Sequence, residues 1–89
     1  MNNKMNSNIQ YYLDKLQEES AEVIQAVSKI RRFGPDSKHP DRNTTNLQEF
    51  VGELEDFLAL LACLEGEKVF DLNDSQQNIL NKIKTIYRP

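Results

Sequence analysis

An 89-residue chain has room for one domain, taken here as residues 1–89. Its formal net charge of -3, with 28% charged and 38% hydrophobic residues, lacks the basic excess of a general nucleic-acid binder, so no nucleic-acid partner is expected. There is no run of about 18 apolar residues, so no membrane-spanning helix is expected.

In chain order, residues 1–7 are expected to be flexible. Ile9, Leu13, Leu16, Val23, Val27 and Ile30 then recur at helical spacing. Ser7 and Gln10 form a possible capping box before them. The first helix is predicted to stop at Phe33-Gly34-Pro35, because glycine accepts the conformation that follows a helix and proline cannot continue it. Residues 34–45 read as a polar loop. Leu47, Val51, Leu54, Leu58 and Leu61 mark a second helix, entered through Thr45 and Gln48 and ending near Gly66. A weaker third stripe runs through Ile79, Ile83 (or Leu80) and Ile86, with Asn73 and Gln76 as its capping pair.

The predicted fold class is all-α: an antiparallel helical hairpin plus a short third helix. The second helix is apolar nearly all round, with Phe57, Leu58, Leu60, Leu61 and Leu64 pointing in several directions. Such a helix needs cover on every side, and one hairpin with a short third helix cannot supply it. A homodimer or homotetramer that completes a four-helix bundle is therefore expected.

Chemistry-bearing residues concentrate in Glu18-Glu19-Ser20-Ala21-Glu22 on the first helix and Glu53-Leu54-Glu55-Asp56 on the second. Acids three apart on a helix project to neighbouring points on one side. At about 100° per residue, Glu19 falls at the edge of the apolar stripe and Glu22 just beyond it. Glu18 points to the opposite side. On the second helix Glu53 and Asp56 share a side with Leu60 and Leu64, a side that a monomer would leave wet, and Glu55 sits away from them. The set selected by angle is Glu19, Glu22, Glu53 and Asp56. Two readings stay open at this point: a solvated acidic face, or oxygen ligands to a hard divalent cation that relieves their repulsion. A di-iron centre would want a histidine three residues after a glutamate on two helices, whereas His39 sits in the loop.

At these residues the chain resembles the MazG-like, all-α nucleoside triphosphate pyrophosphohydrolases, a superfamily that also holds dimeric dUTPases and phosphoribosyl-ATP pyrophosphohydrolases. Its hallmark is E-E-x-x-E followed by E-x-x-D, and this chain reads EESAE at 18–22 and ELED at 53–56. The stretch EESAEVIQAVSKIRRFG also resembles a subgroup in which the first motif runs on to a basic R-F-G ending. The spacer between the motifs is longer than in compact members, because of the loop from Gly34 to Thr45.

The resemblance implies magnesium held by Glu19, Glu22, Glu53 and Asp56, with manganese able to replace it. It implies cleavage of an NTP or dNTP between the α and β phosphates, giving the monophosphate and pyrophosphate. Glu19 or Glu22 would act as catalytic base toward the attacking water. Family members hold phosphates and base with polar and basic side chains on later helices, for which Asn78, Lys82 and Lys84 qualify by character.

Lys29, Arg31 and Arg32 either reach phosphate oxygens or stabilise the C-terminus of the first helix. Lys29 and Arg32 are the substrate-binding candidates, with Arg32 the preferred phosphate contact. His39 and Arg42 lie on a loop read as solvated or as closing over substrate. Tyr11, Tyr12 and Tyr87 are read as core or interface residues before base-stacking ones. Cys63 is read as packing; as the only cysteine it allows no internal disulfide, and with His39 alone no structural zinc site. The polar opening Met1–Asn8 is unlike a secretory signal, and a cytoplasmic protein is expected. A catalytically weak helical module that binds a nucleotide or a protein is the alternative; the presence of all four acids favours the enzyme.

Overall fold

The computed structural model describes residues 5–89, which form three helices and no strand. Helix α1 spans Ser7–Phe33, α2 Asn46–Gly66 and α3 Leu72–Ile86. The all-α expectation holds, and so does each of the three elements.

Helix α1 begins one residue before the sequence signal. Asn6, not Ser7, is its cap, accepting a hydrogen bond from the Ile9 amide at 2.8 Å, while the Gln10 side chain donates to the Met5 carbonyl. Its end is as expected: Gly34 sits at φ 91° and ψ 158°, a region essentially reserved for glycine, and its amide donates to the Ile30 carbonyl. The Thr45–Gln48 capping box is present in full at the start of α2. The cap of α3 is Asp71 rather than Asn73; the Asp71 carboxylate accepts from the Asn73 amide at 2.8 Å, and Gln76 donates to the Asn73 side chain instead.

Gly66 is the last residue of α2 and does not make the reversal. That falls to Lys68, at φ 64°. Its amide donates to the Glu65 carbonyl and the Val69 amide to the Leu64 carbonyl, the paired bonds of a Schellman turn. A lysine thus occupies the left-handed position where glycine is favoured.

Helices α1 and α2 pack as an antiparallel hairpin pinned at both ends. At one end Asn6 Nδ2 donates to Glu67 Oε1 at 2.9 Å. At the other the buried Asn46 donates to the Gly34 carbonyl, while the Asn46 and Leu47 amides donate to the Ser37 and Pro35 carbonyls. Residues 34–45 are therefore a fold-back tied to the start of α2, closed by an isolated bridge between Lys38 and Thr45.

Among the described residues only Ala26 and Leu64 are buried apolar side chains. Leu64, expected to be wet in a single chain, is 2% exposed, because the Schellman turn folds the chain back beside it. Cys63, expected to pack, is exposed. Helix α3 buries none of its residues and leaves Leu80, Ile83 and Ile86 open. The chain exposes 7418 Å², against about 5,400 Å² for a compact monomer of its mass. Its radius of gyration is 16.4 Å, where a compact domain of this length has about 12 Å. Among the described residues no helix is long and apolar enough to cross a membrane.

Candidate functional site

The hairpin sets the two acidic motifs face to face. One carboxylate oxygen from each of Glu19, Glu22 and Glu53 lies within 4.8 Å of the other two. Glu19 is 8% exposed, and its Oε2 is buried without a hydrogen-bond partner. Asp56 is exposed and lies outside this group of three, close enough for its charge to act on each member. Glu18 and Glu55 are exposed, as their angles predict, and Glu18 pairs with Lys15 at the surface.

The electrostatics follow from that crowding. Loss of solvation pushes the Glu19 carboxyl above the ordinary glutamate value of 4.5; the Glu53 contact pulls it back, and the charges of Glu22 and Asp56 add to the rise. Glu22 is raised first by its contact with Glu53 and by the charge of that carboxylate, then by desolvation. In Glu53 the contact with Glu22 favours the ionised form, but desolvation, Glu19 and Asp56 together outweigh it, and its carboxyl is also raised. Three carboxyls all raised, by lost solvation and by one another's charge, form a set that gains from a shared proton or a cation.

Two cavities flank the cluster, and Glu22 borders both. One, of about 240 Å³, is walled by Glu22 and Glu53 on one side and by Lys29, Arg42, Asn46 and Glu49 on the other. The second, of about 410 Å³, is walled by Glu19, Glu22 and Asp56 together with Tyr11, Tyr12 and Cys63. The Tyr11 and Tyr12 rings meet edge to face at 5.8 Å.

The predicted substrate-binding residues separate. Lys29 lines the first cavity. Arg32 lies over the Phe33 ring, 5.0 Å from its centre, and lines neither cavity. Asn78, Lys82 and Lys84 are exposed on α3 and, within one chain, line neither cavity. His39 lines a separate hollow with Lys29 and Phe33, and Tyr87 is exposed just past α3.

Glu49, given no role from the sequence, and Arg42, read there as part of a loop that is solvated or closes over substrate, both line the first cavity and pair at 2.6 Å. The available signal was the Thr45–Gln48 box, which fixes where α2 starts and hence which face Glu49 takes; the fold-back that carries Arg42 to it has no periodicity to read.

The sequence matches the family model for the MazG nucleotide pyrophosphohydrolase domain over residues 7–87. Searches of curated proteins and of solved structures return no match. The matched span takes in both acidic motifs, the fold-back and all three helices. With helices and acids arranged as described, the chain belongs to the MazG nucleotide pyrophosphohydrolase domain family.

Proposed function

We propose that this protein is a magnesium-dependent nucleotide pyrophosphohydrolase that cleaves an NTP or dNTP to the monophosphate and pyrophosphate. The observation that carries this reading is the buried, unpartnered Oε2 of Glu19 beside the oxygens of Glu22 and Glu53. An orphaned carboxylate oxygen in a low-dielectric site is costly, and an all-oxygen acidic donor set suits a hard divalent cation.

Glu19, Glu22, Glu53 and Asp56 would hold the ion, Asp56 from the more open side. When bound, magnesium supplies charge neutralisation on the phosphate oxygens and a lowered pKa for water. With the ion held there, the junction of the two cavities would be the place of cleavage, and Glu19 or Glu22 would accept the proton of the attacking water. Lys29 draws the phosphates from the end of α1. Arg32, Asn78, Lys82 and Lys84 face solvent in one chain and would reach substrate only within an assembly.

The reading includes a homo-oligomer. An excess of some 2,000 Å² of surface per chain over a compact monomer is of the size that obligate interfaces bury. Two helices of a four-helix bundle are supplied by one chain, and α3 has no cover of its own.

A panel of ribo- and deoxynucleoside triphosphates incubated with magnesium, with monophosphate and pyrophosphate quantified, tests the reading. Equimolar release of the two from at least one nucleotide is expected. Release of orthophosphate instead, or no turnover of any nucleotide, contradicts it.

A further inference from the structure

We propose that Arg42, positioned by Glu49, forms with Lys29 the wall that takes the β and γ phosphates, so that the nucleotide lies with its phosphate tail toward the 34–45 fold-back and its nucleoside toward Tyr11 and Tyr12. The proposal rests on the hydrolase reading for the identity of the ligand.

The first cavity joins both cations to the acidic cluster. Glu49 is held through both carboxylate oxygens: Oε1 accepts from Arg42 Nη1 at 2.6 Å and Oε2 from Thr44 Oγ1 at 2.8 Å. This arrangement uses one of the five N–H donors of the guanidinium and leaves the others for a second anion. Arg42 is half exposed while Glu49 is largely covered, so the pair presents its cationic end outward. Lys29 forms no ion pair among the described residues.

The acids set the direction. An anion entering beside Glu22 and Glu53 meets repulsion, which Arg42 and Lys29 offset at the far side of this cavity. The second cavity offers no comparable wall: Lys15 is its one cation, paired with Glu18 and 5.6 Å from the Tyr11 ring centre. Its aromatic and thiol surface suits a base and sugar rather than a phosphate chain. Arg42 is thus a binding residue, and Glu49 a positioning residue that acts through it.

The test is isothermal titration of the whole protein with inorganic pyrophosphate in magnesium, beside parallel titrations with the four common deoxynucleoside monophosphates. Arg42→Ala is expected to weaken pyrophosphate binding by roughly 10- to 100-fold and to leave monophosphate binding unchanged. Arg42→Lys should recover part of the loss, and Glu49→Gln should shift pyrophosphate alone in the same direction by a smaller factor. Lys29→Ala reads the same wall from α1 should the loop variant fail to fold. The proposal is overturned if wild-type protein does not bind pyrophosphate, if Arg42→Ala leaves that binding unchanged, or if both products weaken together. Pyrophosphate binding that depends on Arg42, without turnover of any nucleotide, would remove the hydrolase reading and keep the phosphate wall. Turnover with pyrophosphate affinity indifferent to Arg42 would do the reverse.

Discussion

Glu19 on α1 and Glu53 on α2 bring carboxylate oxygens within 4.8 Å of each other across the hairpin, and the second oxygen of Glu19 is buried with no partner. A closed hairpin without a cation must hold that contact against repulsion and lost solvation. The hairpin is therefore poorest in stability where its chemistry is concentrated.

Replacing Glu19 by glutamine should separate stability from metal binding. Without divalent cations Glu19→Gln removes a crowded charge and is expected to raise the melting temperature by a few degrees, on the order of what 1 kcal/mol gives a domain of this size. With millimolar magnesium the order should invert, since only the wild type gains from the ion. Thermal melts of both proteins with EDTA and with magnesium check this.

The pH dependence has a definite sign. Glu19, Glu22 and Glu53 are all raised above 4.5 in the folded state. A raised acid contributes stability that is fully present below the unfolded value and is lost as pH rises through the folded one. In EDTA, the melting-temperature gap between Glu22→Gln and wild type should be near zero below about pH 4.5 and widen in favour of the variant above it. A gap that stays constant across that range would show that the cluster is not coupled.

Two backbone positions carry opposite predictions. Gly34→Ala meets no atom within 4 Å but cannot hold φ 91° and ψ 158° without strain. It should cost about 1–3 kcal/mol. Lys68→Gly relieves a left-handed lysine in the Schellman turn and should stabilise by about 1 kcal/mol. Urea titrations of both variants read the two signs.

The fold was legible where local signals agree. Thr45-Gln48 and Phe33-Gly34-Pro35 each carry cap chemistry in the residues themselves, and both ends form as expected. At the ends of α1 and α3 the neighbouring polar residues Asn6 and Asp71 took the cap, a choice between near-equivalent caps that spacing alone does not decide. Angle placed Glu19, Glu22 and Glu53 together because helical periodicity fixes direction. For Arg42 a solvated loop and one closing over substrate stayed open, because its position depends on a fold-back held by Asn46 and Gly34, contacts twelve residues apart with no period. Cys63 and Leu64 exchanged roles for a similar reason: the reversal at Lys68 covers one face of α2 and leaves its neighbour open.

The open face of α2 predicts self-association. Leu58 is 61% exposed in the single chain. Sedimentation at micromolar concentration should give a dimer or tetramer for the wild type, and Leu58→Glu should shift it toward monomer, because a carboxylate buried in an apolar interface is costly. A wild-type monomer at that concentration would contradict the shared bundle.

Manganese binding followed by electron paramagnetic resonance decides whether the acids of α1 and α2 hold a divalent cation. At least one bound Mn²⁺ per wild-type chain is predicted, displaced by excess magnesium and lost in both Glu19→Gln and Glu53→Gln. Manganese that fails to bind the wild type, or that binds both variants with undiminished affinity, would show that these acids hold no cation.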